Sequence, residues 1–168
     1  MIKYVEMKCS LTGREVKKPP LSQEFNIKPI GAFTLDEIYN CYFQAFTHGD
    51  ANFFFLQDEN EQREYFETLG FEEVSDDLSS FVLVKQDEIV GFSIVLKRGE
   101  KTNRHISCMC ILPAYQGQGL GKWMLYHIMD EVIEQGTTSI TLGTEPEMKA
   151  FLLYSTNGFE VTAEHIIE

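Results

Sequence analysis

Basic residues are scarce in this 168-residue chain: 14 Lys and Arg stand against 26 Asp and Glu, a net charge of −12. A nucleic-acid backbone is held by clustered Lys and Arg, so this balance argues against such a partner. Long apolar runs are missing as well. The longest, Ile89 to Leu96, is eight residues and contains Gly91 and Ser93, far short of the roughly 20 that cross a bilayer as a helix. The opening MIKYVEMKCS holds no apolar signal-peptide core. The expectation is a cytoplasmic protein with no membrane partner. Cysteines number four, Cys9, Cys41, Cys108 and Cys110, and their spacing fits no zinc site, so no metal is expected. Cys108 and Cys110 lie two apart on an expected strand, share a face and cannot easily bond each other. Buried free thiols in a reducing compartment are the reading that fits.

What is present is an ordinary globular balance, 43% apolar and 24% charged, on a length that suits one domain with a real core. The negative charge is uneven. Between Asp58 and Asp77 nine acids (Asp58, Glu59, Glu61, Glu64, Glu67, Glu72, Glu73, Asp76 and Asp77) meet one base, Arg63, so this block holds −8 of the −12. Two readings stand: a solvated helix face, or an acidic rim that concentrates a cationic substrate.

Periodicity divides the chain. Residues 1–19 alternate weakly and read as a hairpin closing near Thr12-Gly13, and Phe25 to Ile30 reads as a short strand. Thr34 and Glu37 form a capping-box pair ahead of Ile38, Cys41, Tyr42 and Ala45 at helical spacing. Phe53-Phe54-Phe55-Leu56 reads as a loop or short turn, either core or an aromatic pocket wall, and Asp58 to Leu69 as a second helix. From Ser80 the period becomes two: strands Phe81 to Val84 and Ile89 to Lys97 flank a turn, and a third runs from about Arg104 to Leu112. A helix from about Gly119 to Glu134, a strand from Ser139, a short helix from Glu147 to Thr156 and a last strand from Phe159 complete the order. This is one mixed α/β domain.

Gln116-Gly117-Gln118-Gly119-Leu120-Gly121 lies between the third strand and its helix. Glycines at alternate positions remove the Cβ atoms that would keep a ligand off the backbone. The helix behind offers free N–H groups and the positive end of its dipole, a ready phosphate or pyrophosphate site, and Lys122 adds a charge. The spacing is neither a P-loop, since Gly117 and Gly121 enclose three residues and Trp123 follows Lys122, nor a G-x-G-x-x-G fingerprint.

It does satisfy Gln/Arg-x-x-Gly-x-Gly/Ala through Gln116, Gly119 and Gly121, after Ile111-Leu112-Pro113. Downstream, Ala150 to Phe159 matches A-x-x-L-Y-x-x-x-G-F. With both motifs in order on this strand pattern, the chain strongly resembles the GCN5-related N-acetyltransferase (GNAT) family from about Phe25 to its end. The resemblance implies a central, mostly antiparallel sheet with a splayed parallel pair and flanking helices. The domain would span residues 25–168, with 1–24 an extension packed on it. It also implies acetyl-CoA as acyl donor, its pyrophosphate on the amides of Gln116, Gly117, Gln118, Gly119, Leu120, Gly121 and Lys122, and its pantetheine arm along Cys110, Ile111 and Leu112.

An acceptor amine of pKa near ~10 must lose a proton before it attacks a thioester. His105, eleven residues before Gln116, stands where some members of the family carry a catalytic carboxylate or histidine, and an imidazole suits a base at neutral pH. A strand-end histidine bonded to a carbonyl, with water relaying the proton, is the other reading. Ile111 is the position the family would use to donate an N–H to the oxyanion. Tyr154 matches the tyrosine beside the departing sulfur and is assigned as general acid. Two departures stand out. Glu147 replaces the Asn common three residues before the helix alanine, and only nine residues follow Phe159, too few for the usual final hairpin. Residues 1–24 are expected to cover the edge that this leaves, or a partner subunit does, which keeps a homodimer open. The expected activity is acetyl transfer to a primary amine: a polyamine, an aminoglycoside, another small amine or a peptide. The alternative is an acyl-CoA-binding sensor or interaction module that kept the fold and lost turnover.

Overall fold

Val5, Met7 and Cys9 alternate with polar residues, and in the computed structural model, which describes all 168 residues, they are the inward face of strand β1 (Ile2–Ser10). Strand β2 (Phe25–Pro29) and helices α1 (Leu35–Thr47), α2 (Asn52–Phe55) and α3 (Glu59–Glu67) come next. Strands β3 (Phe81–Lys85), β4 (Glu88–Leu96) and β5 (Asn103–Ile111) form a meander. Helix α4 (Leu120–Glu134), strand β6 (Ser139–Thr144), helix α5 (Lys149–Ser155) and strand β7 (Phe159–Ile167) complete the chain.

Local chemistry explains several of these boundaries. The Thr34 hydroxyl accepts from Glu37 N at 3.2 Å while the Glu37 carboxylate accepts from Thr34 N at 3.0 Å, the reciprocal cap expected from the sequence. Asp58 and Glu61 repeat the arrangement on α3. Gln86 and Asp87 both take positive φ, 52° and 64°, the two-residue turn whose twist matches the β3–β4 hairpin.

The seven strands form one sheet in the order β2-β3-β4-β5-β6-β1-β7, antiparallel except for β5 beside β6. Helices α1, α2 and α3 cover one face around Ile38, Phe54, Phe66, Phe92 and Ile94; α4 and α5 cover the other around Met124, Leu125, Ile128, Ile140 and Phe159. The mixed fold with one parallel pair, expected from the sequence, is therefore present.

The expected N-terminal hairpin is not. Residues 14–24 hold no strand; Leu11, Val16 and Leu21 pack instead into the α4 side of the core, and Pro19-Pro20 removes two ladder donors. Nor does β1 sit at an edge. It lies inside the sheet, paired with β6 from Val5↔Thr144 to Ser10↔Ser139 and with β7 from Ile2↔Ile167 to Cys9↔Phe159.

Candidate active site

The glycine turn takes the shape its spacing suggested. Gly117 and Gly119 adopt φ of +78° and +81°, and a Cβ on either would meet nothing within 4 Å, so the backbone there is open to a ligand. Gly119 is the N-cap of α4 and supplies no side-chain cap; the first helical bond runs from Trp123 N to Gly119 O at 3.1 Å. The amides of Leu120, Gly121 and Lys122 are thus without intrahelical partners and carry the positive end of a 15-residue helix. Gln116 braces the turn by donating from Nε2 to Ile111 O at 3.0 Å.

Beside the turn the parallel pair comes apart. β5 and β6 pair only from Asn103↔Ser139 to Ile106↔Leu142. Beyond Ile106 the β5 backbone edge that faced β6 has no strand to bond. Ser107 is an extra residue at this point, since Ile94 opposes Cys108 while Val95 opposes Ile106, and such a bulge bends and re-aims the strand. The Ser107 hydroxyl is held by Leu69 O at 2.6 Å. Leu112 N donates to Val90 O at 2.8 Å; by the antiparallel alternation Ile111 and Met109 turn their backbone groups the other way, into the gap.

The gap holds a cleft of about 480 Å³ lined by Cys110, Ile111, Gln116, Gly117, Gly119 and Gly121, among others. Leu112, Gln118 and Lys122 do not line it. Lys122 is exposed, with its Nζ 5.4 Å from the centre of the Tyr126 ring. On the other side of the gap is a second cavity of about 350 Å³, walled by Tyr4, Tyr42, Phe53, Tyr65 and His105 among others. The two meet at Phe46, Met109, Met148, Ala150 and Tyr154, which line both.

Tyr154 is only 5% exposed, packed against Phe159 at 5.6 Å between ring centres. Burial, with smaller contributions from Cys108 and Cys110, holds its phenol far above the ordinary range, so it keeps its proton at neutral pH. His105 is half-buried. Its Nδ1 lies 2.9 Å from Thr141 Oγ1, which also accepts from Asn103 Nδ2 at 3.1 Å. Burial, then the charge of Arg98, lowers the His105 pKa against a smaller opposing pull from Glu6, so the ring is neutral at neutral pH. Its observed partner is thus a threonine hydroxyl and not a carbonyl.

The acidic block lies elsewhere. The cavity's only carboxylate is Glu145, and both its oxygens accept from the start of α2, from Asn52 N at 2.9 Å and Phe53 N at 3.1 Å. Glu67 pairs with Arg63, Glu73 with Arg98 and Asp77 with Arg104, and α3 contributes Tyr65 to the wall, not its acids. The aromatic run divides by helical geometry: Phe54 is core, Phe53 faces the cavity and Phe55 is exposed. Glu147 is exposed in a separate groove with Phe55 and Leu56, away from the cleft. Cys41, Cys108 and Cys110 are buried free thiols. Sequence reasoning missed Tyr4, Thr141 and Gly143, because only the long-range pairing of β1 and β5 with β6 brings them to the site.

A turn of free amides at a helix start thus lies beside a parallel pair that separates beyond Ile106↔Leu142, where a cleft and a cavity share lining residues. A model of the acetyltransferase (GNAT) family matches residues 34–159. The chain belongs to that family. Among solved structures, the GCN5-related N-acetyltransferase from Sphaerobacter thermophilus superposes with a TM-score of 0.62 at 17% identity, over 97% of this chain and 49% of its own. For the ribosomal-protein-S18-alanine N-acetyltransferase from Escherichia coli the values are 0.61 and 19%, over 83% and 79%. For Ard1 from Thermoplasma volcanium they are 0.62 and 20%, over 83% and 85%. At these identities the likeness is one of fold. This GNAT chain spans about half of the Sphaerobacter protein and less than two thirds of several other solved relatives. No curated protein matches it in sequence.

Proposed function

We propose that this GNAT protein is an acetyl-CoA-dependent N-acetyltransferase that acylates a primary amine by direct attack in a ternary complex. One observation carries the reading: a cleft with free helix-start amides and an aromatic cavity meet at Tyr154 across the β5–β6 gap. The cleft fits the donor by its chemistry. Its amides suit the pyrophosphate, and the N–H groups of Met109 and Ile111 with the Met109 carbonyl suit the amide groups of a pantetheine arm, the Ile111 carbonyl being taken by Gln116. Bound there, acetyl-CoA supplies a thioester acyl group.

The chain's own residues supply the rest. His105, neutral and lining the acceptor cavity, accepts the proton that the amine loses as the C–N bond forms. The Ile111 N–H, turned into the cleft, is the donor available to the carbonyl oxygen as it gains charge. Tyr154 gives its proton to the sulfur as the C–S bond breaks and regains one from solvent or His105, so the products are an amide and a free thiol.

The test is calorimetric titration with acetyl-CoA, followed by release of CoA thiol across a panel of primary amines. Saturable binding and amine-dependent release are expected. Binding with no release for any amine would replace the transferase by an acyl-CoA sensor, and absence of binding would leave the turn purely structural.

A further inference from the structure

The acceptor cavity differs in kind from the acid-rich rim that the composition invited. Sixteen of its 23 lining residues are hydrophobic. Its one carboxylate, Glu145, is 4% exposed and already satisfied by the two backbone amides at the start of α2. Arg98 borders it and pairs with Glu73 at 3.3 Å. A polyamine or aminoglycoside carries several ammonium groups, and each one drawn into this space would lose its water without gaining a counter-charge. An apolar body loses nothing there. Phe53 and Tyr65 meet edge to face at 5.1 Å, leaving ring faces for an aromatic guest or for one ammonium before it is deprotonated.

The floor is built by residues far apart in sequence. Gly143 lies on β6, on the face shared with Thr141 and His105. A Cβ at Gly143 would overlap the Tyr4 hydroxyl, so Tyr4 of β1 reaches across the bare backbone into the cavity. Burial, then the Glu6 carboxylate, raises the Tyr4 pKa, and the phenol stays neutral. With a volume of about 350 Å³, the space is at the small end of ligand pockets, which run from roughly 300 to 1,000 Å³. It suits one ring and a short chain.

We infer that the acceptor is a primary amine on an aromatic-sized apolar body, an arylalkylamine, and that Tyr4 laid over Gly143 sets the depth to which that body enters. The inference rests on the transferase reading and narrows its acceptor. The amine end points to the Tyr154 junction and His105, and the ring lies among Tyr4, Phe53 and Tyr65.

The experiment uses 2-phenylethylamine, spermidine and kanamycin as probes. Binding is measured by calorimetry with CoA present, and turnover by thiol release from acetyl-CoA. Expected is saturable one-to-one binding of 2-phenylethylamine and a kcat/KM at least tenfold above that of spermidine or kanamycin. Gly143→Ala displaces the Tyr4 ring and should raise KM for 2-phenylethylamine at least fivefold with acetyl-CoA affinity unchanged. Phe53→Glu puts a free carboxylate into the wall and should shift preference toward spermidine. Should Gly143→Ala fold poorly, the Phe53→Glu result decides. A preference of the unmodified protein for spermidine or kanamycin, or no binding of 2-phenylethylamine, overturns the inference. Specific binding of 2-phenylethylamine, weakened by Phe53→Glu, with no turnover of any amine upholds the pocket while removing the transferase reading.

Discussion

Tyr154 and His105 line one cavity from different elements, and burial acts on them in opposite directions of charge but to the same end. Each is kept neutral, because the low-dielectric site disfavours phenolate and imidazolium alike. A neutral phenol can give a proton and a neutral imidazole can take one, so their roles in proton transfer are distinct and separately testable. Tyr154→Phe keeps the packing against Phe159 and removes the only proton it can give; kcat for CoA release should fall about 10²-fold with little change in the thermal midpoint. An unchanged rate would end the general-acid assignment. As the proposed base, His105 works unprotonated, and its pKa in the fold lies below the ordinary value near ~6.5. The acid limb of the kcat/KM profile should therefore have its midpoint below the ordinary histidine value, and His105→Gln should lower the plateau and abolish that limb. An acid limb centred at or above the ordinary histidine value, or one that survives in His105→Gln, points to another base or to water.

Among the elements, the turn into α4 is open to a ligand by backbone shape more than by side chains, and the proposed donor site rests on it. Gly119 is the sharpest case, a left-handed N-cap with φ of +81° and open space where a Cβ would go. Gly119→Ala meets no clash, so its effect is conformational: the left-handed backbone costs an L-residue about 1–2 kcal/mol. The turn should relax, weakening acetyl-CoA binding by roughly tenfold with only a small loss of global stability, as read by calorimetry and urea unfolding. A loss of stability with unaltered binding would mean that the turn is not the pyrophosphate site. β5 works differently. Its bulge at Ser107 coincides with the point where β6 departs, so one irregular residue both re-aims the strand and marks where its inner edge becomes free.

At the scale of the whole molecule, β1 decides more than its length suggests. It joins β6 to β7 and buries Val5, Met7 and Cys9, each 1% exposed. Apolar side chains of this kind are worth roughly 1.5–3 kcal/mol apiece when fully buried. Its removal also strips the hydrogen-bond ladder from one side of both neighbours. Deleting residues 1–10 should therefore give insoluble protein, or protein with no cooperative urea transition. A soluble, cooperatively folding truncation would show that β1 is a dispensable addition. Because Tyr4 belongs to β1, such a truncation should also open the cavity that it walls.

Much of this was legible in the residues themselves. The Thr34–Glu37 capping pair, the turn between β3 and β4, the period-two strands, and the two motifs that place the glycine turn and Tyr154 are local patterns, set by backbone propensity and by spacings of a few residues. They sufficed for the mixed fold, the open glycine turn and the family. The second cavity was not legible. Of the two readings open for the acids of residues 58–77, the solvated face is the one found: they cap helices, face water or pair with Arg63, Arg98 and Arg104, because a carboxylate is stable where it is solvated or matched. The composition of the cavity and its Tyr4–Gly143 floor depend on β1 threading between β6 and β7, pairings between opposite ends of the chain such as Val5↔Thr144 and Ile2↔Ile167. No periodicity encodes which strand lies beside which; that is decided only when the sheet closes and each apolar face finds its cover.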